Sequence, residues 1–384
     1  MSDSPTLAIR RLTLTEFRNY AALRLDTEAR LVALSGANGA GKTNILEAIS
    51  LLAPGRGLRG ASFDELPRQG GSGAWAIAAE VEAEHGPVSL GTAWNGQPDA
   101  GEGGSRQVVI DGEAQRGSGA LGDYMRMLWL TPAQDRIFAG PGSDRRRFLD
   151  RMVTAFDPEH AARITVFEKV MRERNLLLEE ARPDQAWLGS LEAHMAEAAV
   201  AISAARLVGL EALQAHIGEG RETSSFPWAE VTVEGELEAL VAHKPAVQVE
   251  DEYRRILRDS RGLDRAAGRT LRGPHRSDLA VLHGPKKMAA GQCSTGEQKA
   301  LLIGLVLAQA RAVKAGTGVP PILLLDEVAA HLDRARRRSL LEALAALGSQ
   351  SWMTGTDASL FEAIGEAGAI FQVEDGRVSK AMED

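Results

Sequence analysis

The stretch that decides the fold is GANGAGKT, which runs from Gly36 to Thr43. An apolar run at residues 31–34 precedes it and indicates a buried strand, while residues 44–49 follow it with helical spacing. This order of strand, glycine-rich loop and helix is the one that a phosphate-binding P-loop requires. Glycine lets the backbone approach phosphate groups closely, and the N–H groups at the start of the helix face the anion. The stretch therefore predicts a nucleotide-binding α/β protein.

Two residues of this loop have specific chemical tasks. We expect Lys42 to reach the β- and γ-phosphates of a nucleotide, and we expect the Thr43 hydroxyl to bind Mg²⁺. The predicted phosphate-binding residues are Gly36, Ala37, Asn38, Gly39, Ala40, Gly41, Lys42 and Thr43.

A second motif supplies the acids that such a site needs. The run ILLLDE at residues 322–327 indicates a central parallel strand that is buried on both faces. Asp326 at its carboxyl end could hold Mg²⁺ opposite Thr43, and Glu327 could orient or deprotonate the attacking water. An ordinary strand that ends in acids would look the same, so this interpretation depends on the P-loop.

A third motif, STGEQ at residues 294–298, begins a predicted helix. Ser294 and Gly296 at a helix start would make another anion site. The P-loop already has its own helix for that task, so a second phosphate-binding helix start makes sense if it serves the nucleotide of a second copy. A simple capping box of Ser294 with Glu297 is an equally good explanation of this motif alone.

Composition limits the class of protein. The chain has 384 residues, of which 44% are apolar and 25% are charged, as in an ordinary globular protein. Its longest apolar run, residues 300–308, is too short for a membrane span, and its N-terminus lacks the features of a signal peptide. The single cysteine, Cys293, excludes an internal disulfide and favours a reducing, cytoplasmic compartment.

The charge balance bears on DNA binding. Net charge is −8, from 44 basic and 52 acidic residues, whereas dedicated nucleic-acid binders are more often basic. Any DNA contact must therefore come from local basic patches. Arg56 and Arg59 in the glycine-rich loop 54–60 are the preferred candidates, because loops on a rigid scaffold often carry function. The other basic clusters, at residues 145–147, 254–255, 286–287 and 336–338, more often indicate solvated faces.

The order of elements divides the chain into three segments. Predicted strands dominate residues 1–154, a helical insertion occupies residues 155–262, and residues 263–384 return to the first character. Within the insertion, residues 184–219 are predicted to form one helix with an alanine-rich face.

Together these motifs resemble the head domain of ABC ATPases, an α/β fold with a mixed sheet and flanking helices. The P-loop, the signature at residues 294–298, the acid strand and a D-loop-like His331-Leu332-Asp333 carry the likeness. Interruption by an α-helical arm resembles the SMC branch. More closely, the chain resembles the RecF family, in FRNY (17–20), GRGLR (55–59), RRRFLD (145–150) and GPHRSD (273–278).

The resemblance implies an ATP-dependent DNA-binding protein with ATP and Mg²⁺ as cofactors. Two copies would enclose two ATP molecules, each bound by the P-loop of one copy and by Ser294 and Gly296 of the other. Glu327 would be the catalytic base, Gln134 the Q-loop residue that helps catalysis and contacts the metal, and Asp333 a bridge between the copies. Such proteins bind gapped or junction DNA independently of sequence. They work with RecR and RecO to help RecA load, in repair, replication and the SOS response.

Two departures from the pattern and two other classes of function remain. The signature has Thr295 where many ABC proteins have glycine, and residues 352–357 contain no switch histidine, so we expect a weak ATPase. An SMC-like DNA-tethering head would need a far longer coiled insertion. The ATPase subunit of a transporter would normally carry that histidine and would lack the RecF-like motifs.

Overall fold

The computed structural model describes residues 7–96, 106–219, 225–330, 332–365 and 368–381. Predicted residue His331 lies outside these described residues. The strands are β1 (Ala8–Phe17), β2 (Tyr20–Asp26), β3 (Leu31–Ser35), β4 (Trp75–Ala83), β5 (Gly86–Trp94), β6 (Gln107–Ile110), β7 (Glu113–Gln115), β8 (Met127–Leu130), β9 (Ala229–Glu234), β10 (Asp278–His283), β11 (Met288–Ala289), β12 (Ile322–Leu325), β13 (Ser351–Gly355), β14 (Gly368–Glu374) and β15 (Arg377–Lys380). The helices are α1 (Lys42–Ser50), α2 (Gly142–Thr154), α3 (Glu159–Glu179), α4 (Gln185–Ile217), α5 (Glu236–Val241), α6 (Ala246–Asp259), α7 (Arg261–Ala267), α8 (Thr295–Thr317) and α9 (Arg334–Leu347).

Two compact units are formed by these elements. The first consists of Met1–Asp135, Glu219–Pro227 and Thr295–Asp384, and the second of Arg136–Gly218 and Trp228–Ser294. The second unit is therefore longer at both ends than the predicted insertion at residues 155–262. The prediction followed where composition becomes helical, whereas a compact unit is defined by which residues contact one another. The division of the chain at residues 154/155 and 262/263 into two halves of a head and a helical insertion stays a prediction.

A six-stranded sheet positions the site in the first unit. Its order is β15-β14-β3-β13-β12-β8, in which only β15 is antiparallel to its neighbour. Every residue of β3, β12 and β13 is buried, as expected for parallel strands covered on both faces. Because parallel strands point the same way, the segments after β3, β8, β12 and β13 all leave from one edge of the sheet.

An antiparallel sheet of order β2-β1-β4-β5-β6-β7 completes the first unit. Buried and exposed residues alternate along β4, which is typical of a sheet with one face on the core. Phe17 packs edge-on against Trp75 with ring centroids 5.9 Å apart. Gln350 fixes β1 beside the parallel sheet, because its side-chain amide exchanges hydrogen bonds with both the N–H and the carbonyl of Ile9.

The second unit is mainly helical but also contains a three-stranded sheet of order β11-β10-β9. Its longest helix, α4, has 33 residues, and the Asp184 side chain caps it by accepting from the N–H groups of Ala186 and Trp187. The prediction of one helix across residues 184–219 is close to these bounds. Met195, Ala199 and other apolar residues of α4 pack with Phe167 and Leu257 in a local core. Strand β9 was not predicted, because the break at residues 226–228 hid the alternation that follows it.

One helix has the length and composition to cross a membrane. Among the described residues this is α8, and 67% of its most apolar 18-residue window is buried inside the structure. The core helix of a globular unit gives the same pattern.

Candidate nucleotide-binding site

The P-loop residues 36–43 join β3 to α1 and wrap around the side chain of Lys42. The Lys42 ammonium donates to the carbonyl oxygens of Gly36, at 2.6 Å, and of Ala37, at 2.8 Å. Only 5% of Lys42 is exposed. Burial lowers the pKa of Lys42, and the nearby carboxylates of Glu327 and Asp326 act in the opposite direction. The side chain is thus held inside the loop as a buried cation whose hydrogen-bond partners are backbone carbonyls.

Two glycines of the loop are required by its geometry. Gly36 and Gly41 have φ angles of +149° and +115°, which side-chain-bearing residues rarely adopt. A Cβ at Gly36 would lie 2.2 Å from the carbonyl oxygen of Val373, and one at Gly41 would lie 2.6 Å from the Tyr20 hydroxyl. A side chain at either position would therefore strain the backbone and collide with its neighbours, so the loop can keep this conformation only with glycine at both positions.

The FRNY motif supports this loop from the β1–β2 turn. Asn19 donates from its amide to the carbonyl of Ala40, and Tyr20 donates from its hydroxyl to the carbonyl of Gly41, both at 3.1 Å. Burial raises the pKa of Tyr20, so its hydroxyl stays protonated and can keep donating. This motif is one of the stretches that carry the family resemblance, and the structure shows that it holds the P-loop through these two hydrogen bonds.

Two of the three predicted metal ligands, Thr43 and Asp326, meet at the edge of the parallel sheet. The Thr43 hydroxyl donates to the Asp326 carboxylate at 2.9 Å, although 283 positions separate them in the chain. The Thr354 hydroxyl donates to the same Asp326 oxygen at 2.7 Å and accepts from the N–H of Glu327 at 2.8 Å. Thr354, at the end of β13, thus connects both acids. No role at the site was predicted for this residue, because residues 352–357 were considered only for their lack of a histidine.

Glu327 sits in an unusual backbone conformation. Its φ angle is +48°, in the left-handed region that costs a non-glycine residue on the order of 1–3 kcal/mol. Its N–H is held by Thr354, and its carbonyl accepts from the Lys299 ammonium at 3.2 Å. Lys299 also lies 3.3 Å from the Asp135 carboxylate. A buried lysine of α8 therefore joins the signature helix to the acid strand and to the segment after Gln134, a link that sequence reasoning missed.

The Q-loop residue follows the strand next to the acids. Gln134 ends the 3-10 turn Pro132–Gln134 after β8, which pairs with β12, and its side-chain oxygen accepts from the N–H of Thr131 at 2.9 Å. The amide is thus used to cap its own turn. Its predicted contacts with metal and water stay a prediction.

The residues predicted to act across a dimer lie at two helix starts. Ser294 immediately precedes α8, and Gly296 is in the first turn of α8, where an added Cβ would meet open space. Asp333 caps α9 by accepting from the N–H of Arg336 at 2.8 Å. Their predicted roles toward a second copy stay predictions.

The donors at this site suit a hard cation and a phosphate chain. Hydroxyl and carboxylate oxygens are what Mg²⁺ prefers, and it usually keeps few protein ligands alongside phosphate oxygens and water. Among the described residues, no group of three or more His, Cys, Asp or Glu side chains is placed to hold a metal. Thr43 with Asp326 therefore fits Mg²⁺ that arrives with a nucleotide, and the Lys42 loop fits its phosphates.

Comparison with known proteins agrees with this geometry. Residues 8–379 match the RecF/RecN/SMC N terminal domain family. The chain is 50% identical to the DNA replication and repair protein RecF of Mesorhizobium japonicum, over 96% of this chain and 97% of the relative. It is 49% identical to that of Rhizobium meliloti, over 96% and 98%.

The chain belongs to the RecF family. The fold agrees: a solved structure described as the recombination mediator protein RecF-ATP in the RecFOR pathway superposes with a TM-score of 0.84, at 23% identity, over 99% of both chains. An Smc head domain with an extended coiled coil from Pyrococcus furiosus superposes with a TM-score of 0.54, at 16% identity, over 98% and 96%. The predicted ABC-type ATPase head fold is thereby confirmed.

Two of the stretches that carry the resemblance to the RecF family contact each other in the second unit. Arg145 makes a two-pronged ion pair with Asp278, at 2.8 and 2.5 Å, and Arg146 donates to the Ser277 carbonyl. Burial acts to raise the pKa of Asp278, but the hydrogen bond and charge of Arg145 outweigh it and the pKa is lowered. The RRRFLD and GPHRSD stretches are therefore partners in folding this unit, and at least Arg145 is neutralised.

The glycine-rich loop that contains the two candidate DNA-binding arginines is held in place by Arg106. Arg106, buried and with its pKa lowered by burial to about 10, donates to the carbonyls of Leu51, Ala53 and Gly55. Arg56 and Arg59 are both exposed, and Arg59 also donates to the buried Glu47 carboxylate at 2.9 Å. Arg59 thus has a structural partner already, and a DNA contact by either arginine stays a prediction.

Proposed function

We propose that this RecF-family protein is a weak, ATP-dependent switch that binds DNA as a dimer. It binds ATP with Mg²⁺, dimerises, and holds gapped or junction DNA independently of sequence. It acts in the cytoplasm with RecR- and RecO-type partners to help RecA load, in repair, replication and SOS induction. Support for ATP comes from the relative solved as RecF-ATP in the RecFOR pathway.

The observation that carries this proposal is the hydrogen bond of Thr43 to Asp326 beside the Lys42 loop. It joins the P-loop to the acid strand at one sheet edge, as a phosphoryl-transfer site requires. Bound Mg²⁺–ATP would supply the phosphoryl group that passes to water, together with the metal that neutralises its charge. Thr43 and Asp326 would hold the metal, and Lys42 would contact phosphate oxygens in place of the two loop carbonyls.

Glu327 is the residue that we assign to water activation. Its side chain leaves the end of β12 from a backbone fixed at both its N–H and its carbonyl. Such fixation positions a general base without further ordering when substrate binds. Hydrolysis is expected to be slow because residues 352–357, at the end of β13 and just after it, contain Thr354 and Asp357 but no histidine.

Sedimentation of the protein with ATP, with ADP, and with ATP after the substitution Glu327→Gln tests the proposal, each with and without gapped DNA. We expect a dimer only with ATP, which holds DNA and persists in Glu327→Gln because hydrolysis is blocked. ADP should give monomers. The conservative control Glu342→Gln, on α9, removes one carboxylate outside the site and should behave like the parent protein.

A monomer in every nucleotide state would contradict the dimer and the roles of Ser294, Gly296 and Asp333. Loss of the ATP dimer in Glu327→Gln would contradict the assignment of Glu327 to catalysis rather than to binding.

A further inference from the structure

In each of the basic clusters at residues 145–147, 254–255 and 286–287, at least one side chain is paired with a carboxylate within the fold. Arg145 pairs with Asp278, Arg147 with Asp144, and Arg254 with Glu250 and Asp251. Lys287 pairs with Glu230. Since the chain carries a net charge of −8, positive charge that could attract an anion is scarce. The clusters that keep it are therefore the informative ones.

The cluster at the start of α9 keeps most of its charge. Within the residues that the structure describes, Arg334, Arg337 and Arg338 have no ion pair and no side-chain hydrogen bond, whereas Arg336 lies 3.9 Å from Asp333. Arg334 and Arg338 are exposed and Arg337 is half-buried. Their guanidinium groups thus remain available to a ligand.

These three arginines line one cavity of about 320 Å³, which we name the arginine pocket. Its other wall is the 3-10 helix Ala358–Ile364. The lining residues are Arg334, Arg337, Arg338, Leu341, Ser359, Leu360, Glu362 and Ala363. Glu362 is the single carboxylate among them, so three positive charges face one negative charge.

The position of these arginines works against the stability of the helix. The first turns of a helix carry the positive end of its dipole, where basic side chains are unfavourable. Like charges three and four positions apart also repel each other, which applies to Arg334 with Arg337 and with Arg338. A bound anion would relieve both effects, and the rigid fork of a guanidinium matches the oxygens of a phosphate group.

We propose that the arginine pocket binds a backbone phosphate of DNA. This inference rests on the proposed function, and it adds a contact surface different from the predicted Arg56 and Arg59. The pocket offers charge and Ser359 as a hydroxyl donor but no aromatic stacking surface, so it would position the backbone without reading bases.

The test is the salt dependence of DNA binding by the full chain with ATP, measured by fluorescence anisotropy on gapped DNA. The variant is Arg337→Gln with Arg338→Gln, and the control is Arg254→Gln with Arg255→Gln, which removes the same charge from a helix of the second unit. If each pocket arginine contacts one phosphate, affinity near 0.1 M salt should fall on the order of tenfold per arginine. The slope of log K against log salt should flatten by about 1.8 if both phosphates lie in the duplex part of the gapped DNA, and by about 1.4 if both lie in its single-stranded part. The control should change neither.

Three further readings separate the explanations. Thermal unfolding checks that the variant is folded, and sedimentation with ATP checks that it still dimerises, since α9 follows Asp333. A folded, dimerising variant that binds DNA like the control would overturn the arginine pocket and leave the proposed function intact. Weaker DNA binding that tracks a lost dimer would also overturn it. If the parent protein binds no DNA at all, the proposed function fails with it, and a titration with inorganic phosphate would then show whether the pocket is a site for free phosphate only.

Discussion

The P-loop of the first unit and the arginine network of the second unit both bury charge, but their hydrogen bonds differ in kind. Buried Arg206 donates to the carboxylates of Asp150 and Glu238 and to the Pro274 carbonyl, all within 2.9 Å. Among the residues that the structure describes, buried Lys42 has two loop carbonyls as its hydrogen-bond partners. A network of arginine and carboxylates is complete in the folded chain, whereas the P-loop presents a cation and donors that a ligand would complete. The arginine network is therefore suited to folding, and we expect the P-loop to serve binding.

Arg174 repeats the pattern of the second unit. It is fully buried and donates to Glu192, Asp264, the Thr270 hydroxyl and the Leu257 carbonyl, at distances of 2.7–3.1 Å. Every one of these partners is inside the second unit. Burying a charge is costly, but removing one partner of such a pair costs more because the other is left unpaired.

The largest effect should follow from breaking the arginine network. Arg206→Met would leave the buried Glu238 and the half-buried Asp150 without their cation, so we expect a loss of about 3–5 kcal/mol in the free energy of unfolding. Urea denaturation of the protein without nucleotide measures this. The control is Arg272→Met, which removes an exposed arginine paired with Glu236 and should cost under about 1 kcal/mol.

Equal losses in the Arg206 and Arg272 variants would mean that the buried network adds no more than a surface ion pair. That result would contradict the assignment of the arginine network to folding.

The same contrast predicts the opposite behaviour at the P-loop. Lys42→Met should weaken ATP binding on the order of 100-fold, because a charge-assisted contact with phosphate is lost. Stability without nucleotide should change little, since the buried ammonium is desolvated and its pKa is lowered by burial. Isothermal titration with ATP and urea denaturation together measure both effects.

A matched control for Lys42 lies on α8. Lys314 also donates to a backbone carbonyl, that of Leu347, at 2.8 Å. Lys314→Met should therefore leave ATP affinity unchanged. If Lys42→Met destabilised the free protein as strongly as Arg206→Met while binding ATP normally, Lys42 would be a folding residue and the site would be assigned wrongly.

The P-loop site could be predicted from the sequence, whereas the buried arginine network could not. The P-loop and the acid strand are short contiguous motifs with a chemical reason for each residue, and their flanking strands have clear apolar runs. The order of parallel strands then forces Thr43 and Asp326 together. Arg206 and Arg174 gave no such signal, because their partners are scattered along the chain and an arginine in a helix is most often exposed.

Two residues beside the P-loop site and one sheet of the second unit were also not predicted. Thr354 and Lys299 were not predicted as site residues, since hydroxyl and ammonium groups that contact an acidic residue at a strand end occur on neighbouring strands and helices without a motif. The three-stranded sheet of the second unit was missed because β9 and β10 pair over a long separation in the chain.

The smallest of the expected effects tests whether Thr354 belongs to the binding region. Thr354→Val keeps the shape but removes the hydroxyl that donates to Asp326 and accepts from Glu327. A residue that orients a metal ligand typically contributes 10–100-fold to affinity or activity, and we expect about tenfold in the rate of ATP hydrolysis. Thr354→Ser, which retains the hydroxyl, should restore the rate. A rate lost equally in both variants would assign Thr354 to packing in β13 and would place it with the folding residues instead.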